Sequence, residues 1–156
     1  MANVRRFTAR TRGPAFFGIS PHTTRAELQR AVFEGLAFAI VDALQGYPQG
    51  GELNLTGGGA ASATWLQIIA DCTGRTVVSS AFNELSARGA AILAARSVAA
   101  LAETPPLAQT RYQPRPQAHA RYAALYPVYR LLREQMLPVW QARQAALQPL
   151  SQDLQP

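Results

Sequence analysis

The chain contains no lysine, because all 15 of its basic residues are arginine. This absence excludes a P-loop lysine, a Schiff-base lysine and the strand lysine of protein kinases. The formal net charge of +6 comes from arginines scattered between Arg5 and Arg143. A protein that binds nucleic acid more often concentrates its positive charge in a stripe with interleaved aromatic residues. We therefore expect solvated charges and no nucleic-acid partner.

Cysteine and histidine are almost as scarce. Cys72 is the only cysteine, which excludes an internal disulfide and a cysteine zinc cluster. His22 and His119 are far apart in the sequence and lack the spacing of metal ligands, so we expect no metal site. No apolar run approaches the roughly 18 residues that span a bilayer, and the N-terminus lacks the apolar core of a signal peptide. We expect no membrane partner and a cytoplasmic location.

The length and the hydrophobic content of 48% are typical of one globular domain. A capping box at Thr24–Glu27 predicts a helix that begins there and ends at about Gln45. Between Ala31 and Leu44 only two residues are charged, so we expect this helix to be largely buried.

A glycine turn, Gly57–Gly59, separates two different hydrophobic patterns. The preceding residues, 53–56, alternate as a short half-buried strand does. The following residues carry a helical apolar stripe, which consists of Trp65, Ile68, Ile69 and Cys72. Glycines at a strand-to-helix turn allow positive φ and let a ligand approach the backbone beside a helix N-terminus. The turn alone leaves two interpretations open, a plain tight turn or a nucleotide site.

The helix after the turn is predicted to end at Thr73, with Gly74 as its C-cap. Cys72 lies on its apolar face and is expected to be a small core residue. Asp71 lies on the opposite face, so we expect a solvated or interface carboxylate.

The second half of the chain predicts one further strand and two further helices. Residues 75–79 are typical of a strand, and residues 86–101 form a small-residue helix. A proline-rich extended connector spans residues 104–117, and an aromatic helix follows that Pro127 and Pro138 should kink or break. The pattern is that of an α/β layered domain, and two short strands suggest part of something larger.

Several stretches, in the same order, resemble the FGGY carbohydrate kinases. The longest, GGGAASATWLQIIAD, resembles their adenosine motif GGGARS-x-x-W-x-Q-x-x-AD, with Ala61 in place of the arginine. The other four stretches that match are residues 12–19, 30–35, 86–91 and 121–129. The last of these resembles the xylulokinase branch.

The resemblance implies part of an actin-like, ribonuclease-H-like ATPase domain, the C-terminal portion of the second domain of an FGGY kinase. It covers residues 12–147, with an unmatched segment at 1–11 and a frayed tail at 148–156. Such kinases transfer the γ-phosphoryl group of ATP, with magnesium, to a sugar, here D-xylulose to give D-xylulose 5-phosphate. The catalytic base, the sugar site and the direct magnesium contacts would belong to the missing N-terminal kinase domain. That domain, ATP or ADP, and a second copy of the chain are the expected partners.

The resemblance also assigns the nucleotide-binding residues. Gly57, Gly58, Gly59 and Ala60 would lie against the nucleotide, and Ser62 would contact the adenosine. None of the three aspartates matches the base of the family, so no catalytic residue is expected, and the chain alone should be inactive. The alternative is a non-catalytic nucleotide-binding or protein-interaction module derived from such a kinase.

Overall fold

The computed structural model describes residues 14–48, 50–80, 85–98 and 107–152. These residues form four α-helices, three strands and one short 3-10 helix. In chain order they are α1 (Arg25–Leu44), β1 (Leu53–Leu55), the 3-10 helix (Gly58–Ala61), α2 (Ala63–Thr73), β2 (Val77–Ser80), α3 (Leu85–Val98), β3 (Gln109–Tyr112) and α4 (Pro116–Gln152). The expected features at residues 1–13 and 99–106 and at Asp153 lie outside the described part of the chain.

The three strands form one sheet in the order β1-β2-β3. β1 and β2 are parallel, with Leu53 opposite Val77, and α2 is the crossover between them. β3 is antiparallel to β2, with Val77 opposite Tyr112. The third strand was not predicted, because residues 109–112 lie in the expected extended connector and are mostly exposed. Pairing with a strand 30 residues earlier, rather than a local apolar pattern, makes this segment a strand.

Helix α2 is the centre of the core. It contacts α1, α4 and β2, and six of its 11 residues are buried: Leu66, Ile68, Ile69, Ala70, Asp71 and Cys72. The predicted apolar stripe is therefore confirmed, although burial extends further around the helix than the stripe indicates. Cys72 is a core residue as expected, and burial raises the pKa of its thiol to about 12.

Helix α1 begins as predicted but is less buried than predicted. The capping box is present, because the Glu27 N–H donates to Thr24 Oγ1 at 3.3 Å and the Thr24 N–H donates to Glu27 Oε2 at 2.8 Å. Only Ala37 and Phe38 of α1 are buried. One face packs on α2 and α4, whereas Val32 and Leu36 are exposed within the described chain and Phe33 is exposed in part.

Helix α4 is continuous from Pro116 to Gln152, so Pro127 and Pro138 do not break it, while the alternative that they kink it stays a prediction. Both prolines are exposed on the helix surface. A carbonyl group that loses its N–H partner to such a proline can bond to water instead, which lowers the cost of keeping the helix. The helix also continues beyond Leu147, where we expected fraying to begin. No helix in the described ranges is long and apolar enough to cross a membrane.

Candidate nucleotide site

The glycine turn lies between the end of β1 and the start of α2. Gly57 has φ 85° and ψ −172°, a conformation that side chains disfavour, and Gly58 begins the 3-10 helix. A β-carbon added at Gly57 or Gly58 would meet no atom within 4 Å. Two successive backbone units are therefore open to a ligand. The switch from strand to helix at the glycines is confirmed.

Gly59 faces the protein rather than the open space. A β-carbon at Gly59 would lie 3.7 Å from Nε1 of Trp65. The Trp65 ring in turn packs against Phe33 of α1, with 5.5 Å between the ring centroids. Trp65 of this aromatic pair packs against Gly59, so the position of the turn depends on α1 as well as on α2.

Ala60 connects the turn to the sheet. Its N–H donates to the Gly57 carbonyl at 2.9 Å, which closes the turn. Its own carbonyl accepts a hydrogen bond of 3.4 Å from Oγ of Ser79, a buried residue of β2.

Ser62 is the N-cap of α2. Its Oγ accepts a hydrogen bond of 3.3 Å from the Trp65 N–H. Capping satisfies one of the free N–H groups at the positive end of the helix dipole. The hydroxyl hydrogen of Ser62 stays available to a ligand, because the cap uses the oxygen only as an acceptor.

Asp71, at the other end of α2, is not solvated; of the two expected alternatives it is the interface carboxylate, between α2 and the start of α4. It is fully buried, and Arg115 holds it by three hydrogen bonds: from the backbone N–H to Oδ1 at 2.8 Å, and from Nε at 3.1 Å and Nη2 at 2.5 Å to Oδ2. Gln67 donates to Oδ1 as well, at 3.0 Å. Burial raises the pKa of Asp71, but these hydrogen bonds outweigh it and the net shift is downward. The carboxylate anchors the start of α4 and does not face a ligand.

The sequence could not decide between the two alternatives for Asp71, because its cation is 44 residues away. Nothing within α2 indicates that Arg115, after the connector, reaches back to this helix face. The pairing is visible only once α4 is placed.

Gly74 and His119 complete this corner between α2 and α4. Gly74 has φ 66°, and its N–H donates to the Ala70 carbonyl at 2.9 Å. The His119 ring lies so close that a β-carbon on Gly74 would be 2.6 Å from its Cε1 atom. His119 Nδ1 is also 2.9 Å from the Asp71 carbonyl oxygen. The C-cap glycine predicted from the sequence is confirmed. Both its positive φ and the nearby His119 ring disfavour a side chain at this position.

Two carboxylates of α1 bond to tyrosines of α4. Glu34 accepts from the Tyr122 hydroxyl at 2.7 Å, and Asp42 accepts from the Tyr126 hydroxyl at 2.8 Å and from Arg133. Burial raises the pKa of Asp42, but the bonds from Tyr126 and Arg133 outweigh it, so the net shift is downward. Burial is also the main reason that the pKa of each tyrosine is raised to about 12.

The hydrogen bonds of Asp42 and Asp71 hold helices together. Asp42 and Asp71 each accept several hydrogen bonds from arginine and from a neutral donor, and their lowered pKa values disfavour a role as a proton acceptor. In the described part of the chain, no group of three His, Cys, Asp or Glu side chains could hold a metal ion.

The chain belongs to the FGGY family of carbohydrate kinases. The model of the C-terminal domain of that family matches residues 1–98, well over half of the chain. This span includes the first eleven residues, for which motif comparison gave no counterpart. The fold is accordingly that of the C-terminal portion of an FGGY kinase, part of an actin-like ATPase domain.

Individual relatives are named for more than one substrate. A probable L-xylulose kinase from Pasteurella multocida is 33% identical over 122 residues, which are 75% of this chain and 25% of that protein. A glycerol kinase from Koribacter versatilis is 36% identical over 110 residues, 64% of this chain and 22% of that protein. The chain thus spans about a quarter of the length of the curated relatives that it matches.

A solved structure with the same fold is the ligand-bound xylulose kinase of Lactobacillus acidophilus. It superposes with a TM-score of 0.71 at 22% identity, over 82% of this chain and 28% of that one. At this sequence identity, the similarity shows that the two proteins share a fold.

Proposed function

We propose that this chain forms the nucleotide-binding side of an ATP-dependent carbohydrate kinase of the xylulose kinase type. The observation that carries the proposal is the open backbone at Gly57 and Gly58, in the turn that leads through the short 3-10 helix into α2. In sheets with parallel strands, ligands bind beyond the carboxyl ends of the strands, where this turn lies. The turn, its helix and the family membership agree in favouring ATP.

The residues around the turn fit a nucleotide. A side chain at Gly57 or Gly58 would occupy the space that a ribose or phosphate group needs, and Gly59 and Ala60 hold the turn in place. The Ser62 hydroxyl can donate a hydrogen bond to the nucleoside. When bound, ATP supplies the phosphoryl group that is transferred. Phosphoryl transfer depends mainly on positioning and charge stabilisation, to which a rigid backbone surface contributes.

Magnesium, the catalytic base and the sugar contacts are proposed to come from the remaining part of the kinase. Asp42 and Asp71 are already bonded to arginines and to Tyr126 or Gln67, which leaves neither suited to accept the proton of a sugar hydroxyl. We propose a pentulose, D-xylulose, as the substrate of the whole kinase. A cytoplasmic location stays a prediction from the sequence.

A first prediction concerns the activity of the chain alone. With ATP, magnesium and a panel of D-xylulose, L-xylulose and glycerol, the chain is expected to give no phosphorylated product above background. Addition of the separately expressed N-terminal portion of a xylulose kinase is expected to restore turnover. Turnover by the isolated chain that a single substitution abolishes would contradict the proposed division of roles.

The exposed surfaces of the chain suggest where that portion would dock. Val32, Leu36 and the part of Phe33 that Trp65 does not cover form an exposed apolar face on α1, and β1 is an edge strand of the described sheet. Exposed apolar patches and free strand edges favour association. We propose that this face and this edge contact the rest of the kinase, and that they promote self-association in its absence.

A second prediction tests the turn itself. Gly58→Leu is expected to weaken ATP binding by about tenfold or more, because its side chain fills space that the ligand needs. The fold should tolerate the change, because no protein atom lies within 4 Å of the new β-carbon and the backbone has no positive φ there. Isothermal titration measures the affinity, and thermal unfolding measures the stability.

Gly35→Ala is the matched control, since Gly35 is also a glycine with no atom within 4 Å of an added β-carbon. It lies inside α1, so alanine should stabilise the helix by about 1 kcal/mol and leave ATP affinity unchanged. Unchanged ATP binding in Gly58→Leu would argue against the nucleotide site. If ATP binds at the turn but no N-terminal portion restores turnover, the non-catalytic nucleotide-binding module is the better description.

A further inference from the structure

We propose that a groove between α1 and the start of α4 binds the phosphate group of a small phosphorylated polyol or sugar. The groove has a volume of about 580 Å³, within the usual range for small-molecule sites. Three arginines line it, Arg30, Arg115 and Arg121, together with one carboxylate, Glu34, and the polar side chains of Gln117 and Tyr122. It shares no residue with the glycine turn, so this inference does not rest on the proposed nucleotide site.

Arg115 is held in place by a buried carboxylate. Its Nε and Nη2 atoms both donate to Oδ2 of Asp71, at 3.1 and 2.5 Å. These bonds use one edge of the guanidinium and leave the Nη1 amino group to donate elsewhere. The side chain is 60% exposed although its partner is fully buried. The protein thus fixes the orientation of a solvent-accessible cation.

Arg30 is fixed in a similar way. Its Nε donates to Oε1 of Glu34 at 2.8 Å, and its Nη2 donates to the Tyr122 hydroxyl at 2.9 Å. These two bonds do not use the Nη1 group, which can donate to a ligand, and the side chain is half exposed. Two guanidiniums with restricted freedom therefore border the same groove. Donors that are already ordered lose less entropy when they bind an anion.

Arg121 supplies a positive charge that no described carboxylate near the groove offsets. The charge of Arg30 is offset by Glu34, and that of Arg115 by Asp71. Among the described residues, Arg121 makes no ion pair, and it is exposed. An anion in the groove would meet one uncompensated cation and two oriented sets of N–H donors.

The chemistry of the lining favours a phosphate ester over a simple anion. Guanidinium groups match the geometry of phosphate oxygens and can bind two of them at once. One phosphate group fills only part of the groove, and the exposed carboxamide of Gln117 can bond to neighbouring hydroxyl groups. A phosphorylated sugar or polyol has both features.

The test compares ligands and variants of the full chain by isothermal titration at low ionic strength. The ligands are D-xylulose 5-phosphate, inorganic phosphate and unphosphorylated D-xylulose. Arg121→Gln is expected to weaken phosphate-ester binding by about tenfold, because a charge-assisted contact is lost. Arg143→Gln, an equal loss of charge at an exposed position further along α4, should change the affinity less than about twofold.

Tighter binding of the ester than of inorganic phosphate supports a phosphorylated polyol or sugar as the ligand. Equal binding of the two would show a site for the phosphate group alone and would overturn that assignment. Gly58→Leu should leave either affinity unchanged, which separates this groove from the nucleotide turn. The proposal is overturned if no phosphate compound binds, if D-xylulose binds as tightly as its phosphate, or if Arg121→Gln and Arg143→Gln weaken binding equally.

Discussion

Replacement of Asp71 by alanine is expected to destabilise the chain by about 3 kcal/mol, near the lower end of the range for broken buried ion pairs. The substitution removes the acceptor for Arg115 and Gln67 and leaves a gap between α2 and α4. The cost stays below the upper end of that range because the Arg115 side chain can return to water. Thermal unfolding should show a fall in Tm of roughly 10 °C for a chain of this size.

The same carboxylate makes stability depend on acid pH. The folded-state pKa of Asp71 lies below its ordinary value of 3.8. Its contribution is therefore present above that value and is lost as the pH falls through the folded-state pKa. Asp71→Asn should be less stable at neutral pH and lose less stability on acidification. Asp42, whose pKa is also lowered, should keep part of the acid sensitivity.

Glu134→Ala is the matched control, because Glu134 is an exposed carboxylate that forms a long ion pair of 3.8 Å with Arg130. Exposed pairs of this kind contribute about 0–1 kcal/mol. Equal Tm values for Asp71→Ala and Glu134→Ala would show that the buried pair does not hold α4 in place.

Replacement of Gly74 by alanine is expected to cost about 3 kcal/mol, for two separate reasons. Its φ of 66° strains any residue with a β-carbon, and the new methyl group would overlap the His119 ring. The ring cannot move away without loss of its contact with the Asp71 carbonyl. Denaturant unfolding of both proteins measures the difference.

A double-mutant cycle separates the two reasons. In a His119→Ala background the overlap is absent, so Gly74→Ala should cost only the backbone strain, about 1–2 kcal/mol. If Gly74→Ala costs the same in both backgrounds, the His119 ring does not constrain this corner.

The parts of the fold that were predicted correctly depend on short-range chemistry. The capping box of α1, the apolar stripe of α2 and the Gly74 C-cap each involve residues a few positions apart. The glycine turn falls where the hydrophobic period changes, and this too is a local signal. The open backbone at Gly57 and Gly58 agrees with what the motif indicates, while a nucleotide contact there stays a prediction.

The parts that were missed depend on partners distant in the sequence. β3 has a polar sequence and becomes a strand by pairing with β2, and Asp71 is buried by a helix that starts 45 residues later. The burial of α1 was overestimated because an apolar composition shows what a helix can bury but not how many elements cover it. The prolines of α4 were given too much weight because their exposure cannot be read from the sequence.

The corner of Asp71, Gly74 and His119 bears on where this protein can be divided. The match to the model of the family domain ends at residue 98, but β3 and α4 come later in the chain. A chain cut at that residue would lose both Arg115 and the helix that buries Asp71, and it would leave one side of β2 without its neighbouring strand. We therefore expect the unit that unfolds cooperatively to extend past the segment that matches the family model, and a boundary chosen from that model would pass through its interior.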